Sequence, residues 1–321
     1  MGYKVIDMLG GLPTAEAVGT FAAGYLTKAH DGYLDMYAER IARLFGLSGE
    51  EFRKKSEELN FNERAEFFAE RYQGAASMEQ FMSSLDEWGV ERMVVGRSDE
   101  GEISGMVGDN DGISQLVSQY PNKLIGFAGE NPHKGMAAVR DLERSVKELG
   151  LKGLMLRPFA QQMYPNDRRF YPLYTKAAEL DIPVWMHTSI NFSYTITLDY
   201  GRPIYIDHVA CDFPELKLII GHGGWPWVEE AVAICWKHPN VYIDFVSVLP
   251  KYLATPDTGW GSLLCYGNSM LQDKVLFSSG WVMLGMPINQ IVEEVAKLPL
   301  KEETKEKWLY WNAARLLKID Q

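Results

Sequence analysis

Four polar side chains at or near the ends of short apolar runs carry the chemistry that this sequence offers. His187 and His222 each end such a run, and Asp244 lies within a third. Imidazole titrates near neutral pH and a carboxylate can orient it, so these three are the candidate catalytic residues for proton transfer. Arg157 ends a fourth run, and its planar guanidinium suits a substrate carboxylate. The set indicates decarboxylation, hydration or isomerisation of a small carboxylated aromatic or enolic acid.

Two further residues are candidates for substrate binding at the same pocket. Trp225 follows the His222 loop and is expected to form a pocket wall. Asp7, in the first apolar run, is expected at the pocket floor. There it would orient a histidine or act as an acid, and a structural role is the alternative.

Each candidate also has a purely structural interpretation. His187 and His222 would then fill the interior with ring nitrogens bonded to backbone carbonyls, and Asp244 would cap a loop amide. Arg157 would pair with a structural carboxylate. Placement at strand ends favours the pocket role for the histidines, whereas both roles stay open for Arg157.

The apolar runs predict the strands that position these side chains. They alternate with amphipathic stretches such as 136–149, the order typical of parallel strands joined by helices. Nearly continuous apolar runs suit strands covered on both faces. Eight such units predict an α/β fold, a (β/α)8 TIM barrel that forms a single domain over residues 1–321, with chemistry at the carboxyl ends of its strands. The predicted strands are 4–8, 92–96, 124–129, 153–157, 183–187, 217–222, 241–246 and 274–279.

The connection after the first predicted strand is too long for a simple crossover. Residues 14–78 contain a charged helical stretch at 48–71 and aromatic and glycine-containing turns before it. This segment is predicted to be a helical insertion. It would serve as a lid over the barrel mouth, as an oligomer contact, or only as a surface element.

Composition excludes several classes of function. The formal net charge of -11 opposes a phosphate backbone, so no nucleic-acid partner is expected. The sequence shows neither an apolar run that could span a membrane nor a signal peptide. Three widely spaced cysteines, without a CxxC pair, argue against a disulfide framework or zinc cluster and favour the cytoplasm. The expected partners are a small carboxylic acid and further copies of the chain, as a homodimer or other homo-oligomer.

Longer motifs carry a resemblance to a known family. These are Ile6-Asp7, the segment 182–187, the Phe-Pro-x-Leu-Lys to Gly-His-Gly-Gly segment at 213–224, the run 240–244 and the closing Asn-Ala-Ala-Arg-Leu-Leu at 312–317. Over nearly its whole length the chain resembles the amidohydrolase-related family that includes aminocarboxymuconate-semialdehyde decarboxylase and the resorcylate-type decarboxylases. The resemblance implies a barrel with a divalent metal. Its ligands would be two first-strand histidines, the fifth-strand histidine and an eighth-strand aspartate, with the sixth-strand histidine nearby.

Most of those ligand positions are replaced in this chain. His187 and His222 carry over from the family pattern, but Leu9, Gly11 and Gly280 stand at the other ligand positions and offer no lone pair. A catalytic zinc generally has three protein ligands, so the sequence predicts no tightly bound metal and no cofactor. The alternative is a rebuilt zinc or manganese site that recruits Asp7, His222 or Asp244.

The sequence therefore predicts an enzyme, a decarboxylase-like lyase or a hydrolase, that uses side-chain acid/base chemistry. A metal-dependent hydrolase or decarboxylase is one alternative, and a silent ligand-binding barrel is the other. Trp281, directly after Gly280, is predicted to fill the space of the missing aspartate and to contact substrate.

Overall fold

Eight parallel strands form the centre of the molecule in a computed structural model that describes residues 2–11, 14–24, 32–74, 77–101 and 108–319. They lie side by side in chain order, β1 to β8. All eight predicted strands are confirmed, with ends that differ by a few residues. The strands are Val5–Asp7 (β1), Val90–Gly96 (β2), Leu124–Gly129 (β3), Gly153–Leu156 (β4), Val184–His187 (β5), Leu218–Gly221 (β6), Val241–Asp244 (β7) and Val275–Leu276 (β8).

The sheet closes on itself, which confirms the predicted TIM barrel. At the seam between the first and last strands, the Met8 N–H donates to the Phe277 carbonyl at 2.9 Å. Alternate strand residues separate into two apolar clusters. Ile219 belongs to the inner cluster, whereas its neighbours Leu218 and Ile220 pack with the surrounding helices. This division follows from the two-residue period of a strand.

Helices surround the barrel and follow most of its strands. Among the described residues, none is long and apolar enough to cross a bilayer. The helices are Ala15–Ala23 (α1), Tyr33–Ala42 (α2), Gly49–Glu58 (α3), Phe61–Arg71 (α4), Met78–Glu87 (α5), Asn110–Gln119 (α6), Met136–Lys147 (α7), Tyr171–Glu179 (α8), Ile204–Asp212 (α9), Val228–Lys237 (α10), Gly261–Cys265 (α11), Trp281–Leu284 (α12), Ile288–Ala296 (α13), Glu302–Glu306 (α14) and Asn312–Leu317 (α15).

The segment predicted as a helical insertion contains helices α1 to α4. Ser48 and Asn60 begin α3 and α4 with reciprocal capping boxes, in which a glutamate three residues later bonds back to the cap. The insertion has its own apolar cluster around Phe45, Phe52 and Phe68. Phe192, in the connection after β5, joins this cluster and so attaches the insertion to the barrel mouth. Motion as a lid stays a prediction.

Gly280, at one of the replaced ligand positions, has a backbone conformation that favours glycine. Its φ angle is 54°, in the left-handed region. A Cβ atom added there would lie 2.8 Å from the backbone nitrogen of Ser247. Ser247, and not Trp281, therefore occupies the space beside Gly280, which corrects the expected role of the tryptophan.

We predict that Gly280→Ala lowers the free energy of unfolding by about 1–3 kcal/mol, because it adds backbone strain and a steric overlap. Urea denaturation measures the change. Gly261→Ala is the matched control, since a Cβ atom there meets no atom within 4 Å. Equal stability of the two variants would contradict the proposed overlap.

Candidate active site

A cavity of about 920 Å³ opens at the carboxyl ends of the strands. Of the predicted site residues, His187, His222, Arg157 and Trp225 line it. Its volume suits a small organic ligand. Four strand-end or loop predictions therefore meet in one place, as the barrel geometry requires.

The two histidines lie against each other in this cavity. Their ring centroids are 4.4 Å apart, and the His187 ring also packs on Phe159 at 4.5 Å. His187 ends β5, and His222 follows β6 directly. Because β5 and β6 pair in parallel, their carboxyl ends bring the two imidazoles together.

His222 is held in one orientation and one tautomer. Its φ angle is 57°, an uncommon value for a residue with a side chain. The backbone N–H donates to Asp244 Oδ1 at 2.8 Å, and Nδ1 lies 3.0 Å from the Val246 carbonyl oxygen. A carbonyl oxygen only accepts, so Nδ1 carries the hydrogen in the neutral ring. The lone pair of His222 is therefore on Nε2.

The surroundings of His222 keep its ring neutral. Burial lowers the pKa of His222 to about 4, and the nearby Arg157 charge acts in the same direction. The hydrogen bond to Val246 opposes this effect without reversing it. At neutral pH, His222 is thus a base or a metal ligand and not a proton donor.

Asp244 lies beneath the cavity and is fully buried. Oδ1 accepts from the backbone N–H groups of His222 and Val246, and Oδ2 accepts from Trp185 Nε1 at 2.8 Å and Ser278 Oγ at 2.9 Å. Burial raises the pKa of Asp244 to about 6, although these hydrogen bonds oppose the shift. Asp244 thus positions His222 and is not among the described residues that line the cavity.

Asp7 and Trp281 also lie outside the cavity lining. The Asp7 carboxylate accepts from the Leu9 and Ser279 N–H groups and from the Ser279 hydroxyl, so it joins β1 to the segment after β8. Burial raises the pKa of Asp7. The Trp281 ring stacks on Phe81, with centroids 5.8 Å apart, and its Nε1 donates to the Gly11 carbonyl. The hydrogen bonds of Asp7 and of Trp281 therefore join the first strand region to the segment after β8, at the barrel seam.

Arg157 and Trp225 both line the cavity, and each has its own protein partners. Arg157 forms an ion pair with the buried Glu100, which follows β2, and its guanidinium lies 4.9 Å from the Phe159 ring centroid. The structural alternative for Arg157 is thus present in the fold. Trp225 forms part of the wall, and its Nε1 donates to the Thr258 carbonyl at 3.0 Å.

Other lining residues were missed by the sequence analysis. Tyr33, Tyr37 and Arg40 reach the cavity from the insertion helix α2. No strand-end rule could place them, because a long connection brings them to the mouth. Arg97 also lines the cavity. It directly follows β2, so inspection of the residue after every predicted strand would have found it.

The described donors do not reproduce the four-ligand metal site of the family. Leu9, Gly11 and Gly280 line the cavity but bring no donor side chain. The oxygens of Asp7 and Asp244 are engaged as described above, so the two imidazoles are what remains at the cavity of the donor set that the sequence analysis considered. Within the described ranges, three metal-ligating side chains come within 4.8 Å of one another only on the outer helices, at Asp207, Cys211 and His238.

Comparison with known proteins establishes the family. The family model described as amidohydrolase matches residues 62–319, so the chain belongs to the amidohydrolase family of enzymes. Gamma-resorcylate decarboxylase from Rhodococcus jostii is 23% identical over 255 residues, which cover 66% of this chain and 76% of that protein. The predicted family resemblance is thereby confirmed.

Solved structures agree on the fold and correct one prediction. An uncharacterised TIM-barrel protein from Bordetella bronchiseptica is 26% identical with a TM-score of 0.69, covering 98% of this chain and 99% of that one. The 5-carboxyvanillate decarboxylase from Novosphingobium aromaticivorans is 15% identical with a TM-score of 0.67, covering 99% and 96%. It was crystallised with manganese. The prediction of no metal cofactor is therefore wrong, since this relative points to a metal.

We predict that His222 makes stability depend on pH. Its pKa is lowered from 6.5 to about 4, so the neutral ring stabilises the fold fully above pH 6.5 and this contribution is lost as pH falls through 4. The loss is at most about 3 kcal/mol. The measurement is the difference in unfolding free energy between wild type and His222→Asn at pH 7 and at pH 4, where a constant difference would contradict the prediction.

Proposed function

We propose that this protein is a decarboxylase, a lyase that removes carbon dioxide from a small carboxylated aromatic acid. The observation that carries the proposal is the pair of imidazoles in one cavity, at 4.4 Å between ring centroids. Aromatic side chains such as Tyr33, Trp185 and Trp225 line the same cavity and suit a planar ring. The decarboxylases among its relatives support the choice of reaction.

In the proposed reaction the two histidines have different roles. The neutral His222 accepts a phenolic proton at Nε2, which increases the electron density on the neighbouring ring carbon. His187 delivers a proton to that carbon. The bond to the carboxylate then breaks, carbon dioxide leaves, and its bonding electrons restore the aromatic ring. His222 returns its proton to the phenolate, and solvent reprotonates His187.

The manganese-containing relative favours a metal-dependent version of this decarboxylase, with a metal site that differs from the family pattern. The imidazoles of His187 and His222 would hold the cation, because they are adjacent donors that line the cavity. A bound divalent cation would supply Lewis acidity to a substrate oxygen. A ring nitrogen that bound the cation would no longer transfer a proton, so in this form His187 and His222 would hold the cation instead of acting as acid and base.

We predict that His187→Asn and His222→Asn each reduce turnover by about a hundredfold or more, the contribution typical of a positioned acid or base. The measurement is carbon dioxide release from a panel of carboxylated phenols. His208→Asn, on α9 outside the cavity lining, is the matched control. Unchanged turnover in both cavity variants would exclude the proposed roles. Ligand binding without turnover in any form would favour a silent binding barrel.

We predict that Mn²⁺ binds at the cavity through His187 and His222, more weakly than at a site with three protein ligands. Titration calorimetry of chelator-treated protein measures the affinity. His187→Ala should reduce it by about tenfold or more. His238→Ala is the control, because it removes a donor from the outer group instead. The proposed site would be excluded if His238→Ala abolished binding and His187→Ala did not.

A further inference from the structure

Arg97 is a charged side chain at the cavity that the proposed reaction does not use. It directly follows β2, lines the cavity and is only partly exposed. Among the described residues it has no hydrogen bond or ion pair. Partial burial removes some of the water that hydrates this guanidinium, and no described side chain replaces it. An anion that enters the cavity would offset this desolvation cost by pairing with the guanidinium.

Two other arginines line the described part of the cavity, and both differ from Arg97. Arg157 already pairs with the buried Glu100. Arg40 is exposed on the insertion helix α2, where solvent screens its charge. Arg97 is therefore partly buried, and its guanidinium pairs with no described carboxylate. A bidentate contact with a carboxylate is the interaction that this group makes best.

The backbone at Arg97 is fixed by the neighbouring strand. β2 and β3 pair in parallel, with Gly96 opposite Phe127. A Cβ atom added at Gly129, the last residue of β3, would lie 2.8 Å from the carbonyl carbon of Arg97. The two strand ends thus approach more closely than any side chain at position 129 allows. The point from which the Arg97 side chain extends is held by the barrel itself.

Few acidic side chains line the same cavity within the described ranges. They are Asp109 and Asp257, and Asp109 already accepts from the Gly112 N–H as the cap of α6. The described lining therefore has more guanidinium groups than carboxylates, which favours a ligand with negative charge.

We propose that Arg97 forms a subsite for a second acidic group of the substrate, one that the reaction does not remove. The substrate class is then an aromatic acid with two acidic groups. This inference rests on the proposed decarboxylation. A cation paired with the leaving carboxylate would stabilise the ground state, because that charge disappears as neutral carbon dioxide forms. A cation paired with a retained group stabilises ground and transition states equally and serves binding.

Binding is tested with benzene-1,3-dicarboxylate and its neutral diamide. Trp185, Trp225 and Trp260 line the cavity, so their fluorescence reports occupancy without turnover. Arg97→Gln should weaken the dicarboxylate about 10- to 100-fold and leave the diamide unchanged, whereas Arg97→Lys should have an intermediate effect. Arg140→Gln, exposed on α7, removes the same charge outside the cavity and is the control. Unchanged diamide binding also shows that the variant is folded.

Equal binding of the dicarboxylate by wild type and Arg97→Gln would overturn the subsite. In turnover, a retained acidic group predicts a raised KM with an unchanged kcat for Arg97→Gln. A raised kcat would instead place the leaving carboxylate at Arg97 and would also overturn the proposal. If the dicarboxylate binds through Arg97 but no acid is decarboxylated, the proposed reaction fails while acid binding by Arg97 stands.

Discussion

A single buried carboxylate holds the candidate site together. Asp244 accepts four hydrogen bonds, from Trp185 on β5, the His222 amide after β6, the Val246 amide after β7 and the Ser278 hydroxyl after β8. These donors come from four consecutive strands, so the carboxylate fixes the carboxyl ends of half the barrel. It also stabilises the left-handed backbone of His222, and through it the position of Nε2. Asp244, itself predicted to be catalytic, thus positions another of the predicted catalytic residues.

Neighbouring residues pack closely against two of the replaced ligand positions, Gly11 and Gly280. Val282 lies 2.8 Å from where a Cβ atom of Gly11 would be, and the Ser247 amide is equally close to that of Gly280. Side chains at these positions would require their neighbours to move. The departure from the family pattern is therefore supported by contacts on both sides of the barrel seam. A metal that the relatives lead us to expect would depend on the two imidazoles.

Two partly buried arginines at the cavity, Arg157 and Arg97, differ in whether a carboxylate pairs with them. Arg157 pairs with Glu100, and its charge also lowers the pKa of the nearby His222. Arg97 lacks such a partner among the described residues. Arg157 thus affects the protonation of His222, and Arg97 is available to a ligand. Arg97 follows β2 and Arg157 follows β4, and a single carboxylate after β2 gives the two arginines different surroundings.

The sequence by itself determined the barrel and the meeting of His187 with His222. Parallel strands have a strict alternation and a common carboxyl edge, so apolar runs and the residues that end them suffice for both predictions. It also found Arg157 and Trp225 at the cavity. Only the tertiary structure decided which polar groups are satisfied internally. Asp244, Asp7 and Arg157 find partners far away in the chain, whereas Arg97 finds none among the residues that the structure describes. Hydrogen bonds and ion pairs depend on distances between distant segments, and a linear pattern of residue types does not contain those distances.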